Sequence, residues 1–240
     1  MTPFRPTLLL TRPEPASAQF AADFRARFGA EWSVVCSPLM ALRLLPAPPP
    51  PDDLDDVIVT SQAAVVALAG LTARRDLRVW CVGPATAATA GAAGFDAVAG
   101  PGDAAGLAAL VAVGRPGGRV YYPRGTKVAR DMAALLRPAG IETIEAVVYD
   151  QPAIAPAATA RQLLAGADPV LLPLFSPRAA QLFHDAFAAP RAPLRIAAIS
   201  ATVARAAEPL MPERLAVAAR PDAAAMLDAL AELFAATDPA

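Results

Sequence analysis

Hydroxyl-bearing residues recur directly after short apolar runs: Thr11 after LLL, Thr60 and Ser61 after VIV, Ser176 after LLPLF, and Ser200 and Thr202 after RIAAI. Thr86 follows VWCVGPA, Arg12 and Arg124 sit at the ends of two further runs, and Gly83 and Gly125 occupy the same kind of turn. If each run is a strand and the next segment a helix, these residues lie at helix N-termini. Free N–H groups and partial positive charge there favour anions. The chemistry within reach is hydrogen bonding and carboxylate binding, although every such Ser or Thr also has the plainer use of capping its helix. Stronger chemistry lacks candidates. One histidine, His184, and two cysteines, Cys36 and Cys81, provide no ligand set for zinc or a redox metal, so no metal is expected. Both cysteines fall in apolar runs and read as reduced core thiols. No G-x-G-x-x-G or P-loop follows any run, so a phosphate cradle for a dinucleotide is missing as well.

The elements that must position these residues can be read from periodicity. Strand-like runs cover residues 7–11, 31–37, 57–60, 79–82, 97–99, 119–122, 141–149, 169–175, 195–199 and 215–218, and they alternate with helical stretches. This alternation predicts an α/β fold of open parallel sheets, flavodoxin- or Rossmann-like, in which ligands gather at the carboxyl ends of the strands. Gly29, Gly94 and Gly140 are placed to end helices. Residues 46–53, PAPPPPDD, can be neither helix nor central strand and read as a stiff surface connection. Pro173 deletes a ladder donor, so its strand reads as an edge, a bulge or a shortened ending. Asp23, Arg25 and Arg27 read as the solvated face of the first helix, His184 as a helix-surface or boundary residue, and the alanine-rich residues 221–235 as a helix packed on its sheet.

The chain also repeats itself. VIVTSQAAVVAL matches VLLPLFSPRAAQLF, VWCVGPATAATA matches RIAAISATVARAA, and AGPGDAAGLAALV matches ARPDAAAMLDALA, at a nearly constant offset. A fourth pair breaks the order: the segment from Tyr121 to Tyr149 closes the middle half, while its counterpart, Leu8 to Val35, opens the chain. This nesting predicts two similar domains joined by a two-stranded connection. The first is discontinuous, 1–36 plus 153–240; the second, 43–147, is inserted; 37–42 and 148–152 connect them. The strand-end turns of both would face one cleft.

Composition narrows the partners. At 240 residues the chain can bury two cores of ordinary size. Charge, Gly or Pro interrupts every apolar run well before the ~20 residues a bilayer crossing needs. A net charge of −1 supplies no general attraction for nucleic acid or anionic membranes, so any anionic ligand must be held locally. The opening residues lack a long apolar region and a small-residue cleavage site, which points to the cytoplasm. No segment stands out as a long exposed apolar face, which suits a monomer.

Seven short motifs occur in a telling order: TRP at residues 11–13, TSQAAV at 60–65, VGPATA at 82–87, Arg124–Gly125, VVY at 147–149, FSP at 175–177 and AAISAT at 197–202. Together they resemble the uroporphyrinogen-III synthase family over nearly the whole chain. The resemblance implies a cofactor-independent hydro-lyase of tetrapyrrole biosynthesis. Such an enzyme takes linear hydroxymethylbilane, a small-molecule substrate with eight carboxylates, expels its terminal hydroxyl as water, inverts ring D and closes uroporphyrinogen III. It further implies two α/β domains joined by a two-stranded ladder. Tyr149 matches the tyrosine the family carries after this strand and becomes the candidate general acid, because a phenol stays protonated at neutral pH. Arg12, Thr60, Ser61, Gly83, Thr86, Arg124, Gly125, Ser176 and Thr202 become the candidate substrate-binding residues. One turn departs from the family: a Gly-Pro pair and two threonines are replaced by Ser200, Ala201, Thr202 and Val203, which removes glycine's freedom and one hydroxyl. The competing reading is a non-catalytic two-lobed module of the same fold that binds a tetrapyrrole or another solute.

Overall fold

All ten apolar runs form strands, and their pairing order decides which turns come together. The computed structural model describes residues 6–114, 117–128, 130–187 and 189–235. The chain begins with β1 (Thr7–Leu10), α1 (Ala16–Phe28) and β2 (Val34–Cys36). It then forms β3 (Arg43–Leu44), β4 (Asp56–Val59), α2 (Gln62–Leu71), β5 (Arg78–Cys81), α3 (Pro84–Ala92), β6 (Asp96–Ala99), α4 (Ala104–Gly114), β7 (Arg119–Gly125), α5 (Met132–Leu136) and β8 (Glu142–Asp150). Last come α6 (Ala158–Ala165), β9 (Val170–Leu174), α7 (Pro177–Ala186), β10 (Leu194–Ala198), α8 (Ala201–Ala207), β11 (Arg214–Val217) and α9 (Ala223–Ala235). The chain divides into two compact units, one running to Ala41 and resuming at Pro152, the other Leu42–Gln151.

The first unit holds a parallel five-stranded sheet in the order β11-β10-β9-β1-β2. Alternate residues of each strand point to opposite faces, so both faces need apolar cover. Leu172, Leu174 and Ile196 pack on one face against α6, α7 and α8, where Leu164, Phe183 and Val203 are buried. Leu8, Leu10 and Leu171 pack on the other against α1 and α9 through Phe20, Phe24, Met226 and Leu230. Among the described residues nineteen apolar side chains of the first group and sixteen of the second are buried, which makes this a two-sided core.

The second unit holds a six-stranded sheet in the order β3-β8-β7-β4-β5-β6, parallel except for the antiparallel edge pair of β3 with β8. Val57, Val59 and Val79 face α2 and α3, while Ile58, Trp80 and Val120 face α4 and α5. With β3 left aside, the two sheets match strand for strand: β7 stands where β1 does, β4 where β9 does, and β5 where β10 does.

Three details depart from the sequence reading. β3 has no apolar signature because both its residues are exposed. Cys36 is not a core thiol: β2 is an edge strand and Cys36, at its end, is exposed, whereas Cys81 in the interior strand β5 is buried. Pro173 lies in a central strand rather than at an edge. Its missing N–H is accommodated because pairing of β9 with β1 covers only Val170 and Leu171, while pairing with β10 continues through Pro173 to Leu174. Gly29 and Gly140 end their helices at φ +114° and +73°, in the region that favours glycine.

Candidate functional site

In the second unit β4 runs into α2 through two consecutive hydroxyls, and each meets a tyrosine. Ser61 is the N-cap of α2, in extended conformation, and its Oγ accepts from the Ala64 N–H at 3.1 Å. The same oxygen lies 2.8 Å from the hydroxyl of Tyr149, near the end of β8. Thr60 Oγ1 lies 3.2 Å from the hydroxyl of Tyr122 on β7. The phenols arrive from opposite faces of the sheet: Tyr149 packs with Val57, Val59 and Val65, and Tyr122 with Ile58, Trp80 and Met132. Both rings are buried, while Thr60 and Ser61 keep partial exposure. Burial, opposed by the Thr60 hydrogen bond, pushes the Tyr122 phenol above its ordinary range, so it remains a neutral donor near neutrality.

Gly125 ends β7 against the Tyr149 ring, and a Cβ built there would fall 2.8 Å from its Cε2 and Cζ. Only glycine fits that approach without moving the phenol. Arg124, the preceding residue, is committed within the unit. Its Nε donates to Glu145 at 2.6 Å, and its guanidinium also donates to the Gly125 carbonyl at 3.1 Å. Across the next turn Gly83 caps α3 at φ −165°, a conformation open to any residue, and Thr86 is buried in the first turn of that helix. Thr126 and Arg43 both donate to Asp150 and hold its carboxyl below the usual range.

In the first unit the corresponding turns carry less around their hydroxyls. Ser176 caps α7 and accepts from the Ala179 N–H at 3.1 Å. Ser200 caps α8 at φ −160° and accepts from the Val203 N–H at 3.4 Å, so serine stands here without backbone strain. Thr202 is exposed, and its Oγ1 accepts from Arg205 at 3.3 Å. Arg12 is different. Its Cζ sits 4.0 Å from the centre of the Phe175 ring, which in turn meets Phe20 edge-on. Burial lowers its pKa from the ordinary arginine value, and among the described residues no carboxylate pairs with it. Its neighbour Thr11 is 1% exposed, and among the described residues the hydroxyl oxygen there has no partner.

The structure therefore brings Thr60, Ser61, Tyr149 and Gly125 together, with Arg124 alongside. Tyr122 completes this group and was not singled out from sequence, because it lies outside every motif that marked a turn and its partner Thr60 is 62 residues away. Arg12 and Ser176 neighbour one another in the first unit through Phe175. Among the described residues no group of three or more His, Cys, Asp or Glu side chains is placed to hold a metal ion. A cavity of about 300 Å³ lined by His184, Arg191, Met211 and Glu213 opens at the amino end of β10, away from the strand-end turns.

The family model for uroporphyrinogen-III synthase HemD matches residues 19–228. Among solved structures, the chain is similar to a uroporphyrinogen-III synthetase from Helicobacter pylori 26695, with 17% identity and a TM-score of 0.66 over 95% of this chain and 100% of that one. It is also similar to a mutant uroporphyrinogen III synthase from the extremely thermophilic bacterium Thermus thermophilus, with 15% identity and a TM-score of 0.54 over 96% of this chain and 99% of that one. At such identities these two likenesses speak to the fold. No curated protein matches the chain.

Proposed function

The chain belongs to the uroporphyrinogen-III synthase family, hydro-lyases that close hydroxymethylbilane to uroporphyrinogen III with loss of water and inversion of ring D, and on that premise we propose how its strand-end turns divide the work. The Tyr149–Ser61 pair supplies the proton to the departing hydroxyl. The observation that carries this assignment is their 2.8 Å contact at the head of α2, where a phenol, a serine and helix N–H groups converge. Release of water leaves an azafulvene cation, and the electron-rich pyrrole drives much of that step itself. Tyr149→Phe accordingly lowers kcat by only about tenfold, below the usual size of general-acid effects.

The remaining contribution is conformational. A linear bilane closes unaided to the uninverted isomer, so the protein must hold the chain coiled while the terminal ring turns over. Carboxylates are the natural handles. Backbone N–H groups and hydroxyls at Thr60, Gly83, Thr86, Gly125, Ser176 and Thr202 offer fixed dipoles, and preorganised dipoles cost no rearrangement at the moment of reaction. Arg12 provides a full charge. Its stack on Phe175 fixes the guanidinium plane, and it lacks a competing carboxylate among the described residues. Arg124 contributes less, since Glu145 already neutralises it.

The protein acts as a monomer in the cytoplasm on a small molecule, without nucleic acid or membrane. The net charge of −1 supplies no general attraction for nucleic acid or an anionic membrane surface, and among the described residues no helix is long and apolar enough to cross a membrane. Incubation with freshly made hydroxymethylbilane, followed by oxidation and separation of uroporphyrin isomers, tests the activity. Predominantly type III is expected. Type I alone would mean that spontaneous closure outran the protein.

A further inference from the structure

Counting donors and acceptors at the β4–α2 turn gives both phenol pairs a direction. Tyr122 is 2% exposed, and among the described residues its hydroxyl has one partner, Thr60 Oγ1. Were Thr60 the donor, the buried phenolic proton would have no acceptor, at a cost of about 1–3 kcal/mol. Tyr122 therefore donates to Thr60. The same reasoning applies to Tyr149, which is 8% exposed and has Ser61 Oγ as its partner. Ser61 Oγ then accepts twice, from the Ala64 N–H and from the phenol, which fills both its lone pairs. Its own hydrogen, and that of Thr60, have no acceptor among the described residues, and the partial exposure of both residues leaves those hydrogens to solvent or a ligand.

We propose that Tyr122 is a positioning residue of the substrate site: by donating to Thr60 Oγ1 it turns the Thr60 hydroxyl proton outward, to be given to a substrate carboxylate. The two phenols then serve adjacent hydroxyls with separate duties. Ser61, with Tyr149 behind it, belongs to the departing oxygen; Thr60, with Tyr122 behind it, belongs to a carboxylate. This assignment rests on the synthase reading above and adds to it a residue two positions before Arg124, outside the motif that marked that turn.

The longer contact, 3.2 Å against 2.8 Å, makes the Tyr122 effect the smaller of the two. Tyr122→Phe is expected to raise KM about fivefold while kcat stays within about twofold, the signature of lost uniform binding. Tyr149→Phe is expected to act on kcat instead. Thr60→Val should match Tyr122→Phe, and Tyr122→Phe placed on Thr60→Val should add less than about twofold, because the phenol acts through the hydroxyl it orients. Affinity for uroporphyrin III, a stable octacarboxylate, is measured in parallel by titration calorimetry and should weaken about fivefold in Tyr122→Phe. An unchanged KM and affinity, with a lowered melting temperature, would assign Tyr122 to packing and overturn the proposal. A full additive loss on the Thr60→Val background would overturn it too. If the unaltered protein binds uroporphyrin III yet yields only type I product, the catalytic premise fails, and the affinity of Tyr122→Phe still decides this inference. If the unaltered protein yields type III product without binding uroporphyrin III, the synthase reading stands and the KM of Tyr122→Phe decides this inference.

Discussion

Ser61 and Ser176 are the same residue built twice. Each caps the helix after a central strand, with φ/ψ of −157°/154° at Ser61 and −159°/153° at Ser176, and each accepts from the third following N–H at 3.1 Å. What surrounds them differs. Tyr149 stands behind Ser61 in the second unit, while no tyrosine reaches Ser176 in the first, where the neighbouring Phe175 carries the Arg12 guanidinium. One α/β turn has thus been furnished in two ways: with neutral donors in one unit and with a full positive charge in the other. A shared fold placed the turns, but residues one or two strands away decided their chemistry.

The sharpest contrast between the units lies in their thiols. Cys36 ends an edge strand and is exposed, whereas Cys81 is fully buried in an interior strand, with its thiol pushed up to about 11 by desolvation. A maleimide or disulfide reagent at pH 8 should modify Cys36 at least about 100-fold faster than Cys81, since the latter reacts only through opening of its sheet. Mass spectrometry of tryptic peptides reads the ratio, and comparable rates would show that the second unit opens readily.

Next in size is the contrast between the two arginines. Arg12→Gln should raise KM about tenfold, and Arg124→Gln about twofold, because among the described residues Glu145 competes for the latter and no carboxylate competes for the former. Equal effects would remove the distinction between a charged and a neutral rim.

The serine caps come third. Ser61→Ala and Ser176→Ala should each cost about 1 kcal/mol of stability, the usual worth of such a cap, measured by denaturant unfolding. Their activities should separate: about fivefold lost for Ser61→Ala, which strands the Tyr149 phenol, and about twofold for Ser176→Ala. The smallest expected effect is that of Thr202→Val, within about twofold in kcat/KM, since its hydroxyl is exposed and already accepts from Arg205.

The extent to which all this was legible in sequence follows from what each signal depends on. Strands and caps are local: VIV followed by Thr60 and Ser61, or LLPLF followed by Ser176, is enough to mark a strand end and a helix start. Edge and centre are not local. Cys36 and Cys81 sit in similar apolar runs, and only the order β11-β10-β9-β1-β2 puts the first at a boundary. Pro173 read equally as an edge, a bulge or a shortened ending for the same reason, and the uneven pairing on its two sides could be seen only in the sheet. Site pairs depend on register between strands. Arg124 and Glu145 lie 21 residues apart, and Ser61 and Tyr149 lie 88 apart, so sequence could propose Arg124 and Tyr149 but could not foresee the carboxylate beside the first or the serine beside the second. Tyr122 gave no signal of its own, being one of two tyrosines in a run whose neighbour Tyr121 points instead to the Pro48 carbonyl.

The position of β1 between β9 and β2 also matters during synthesis on the ribosome. β1 and β2 are among the first elements to emerge, but the partner of Leu8 on its other side, Leu171, is translated far later. At about 5–20 residues per second that interval lasts roughly 10–30 s. Throughout it, an apolar strand buried on both faces in the finished protein has an open edge, while the complete Leu42–Gln151 unit can already form its sheet. Until residue 170 is made the nascent chain therefore carries an apolar strand with an unpaired edge, and capture by a holdase protects it best in that interval.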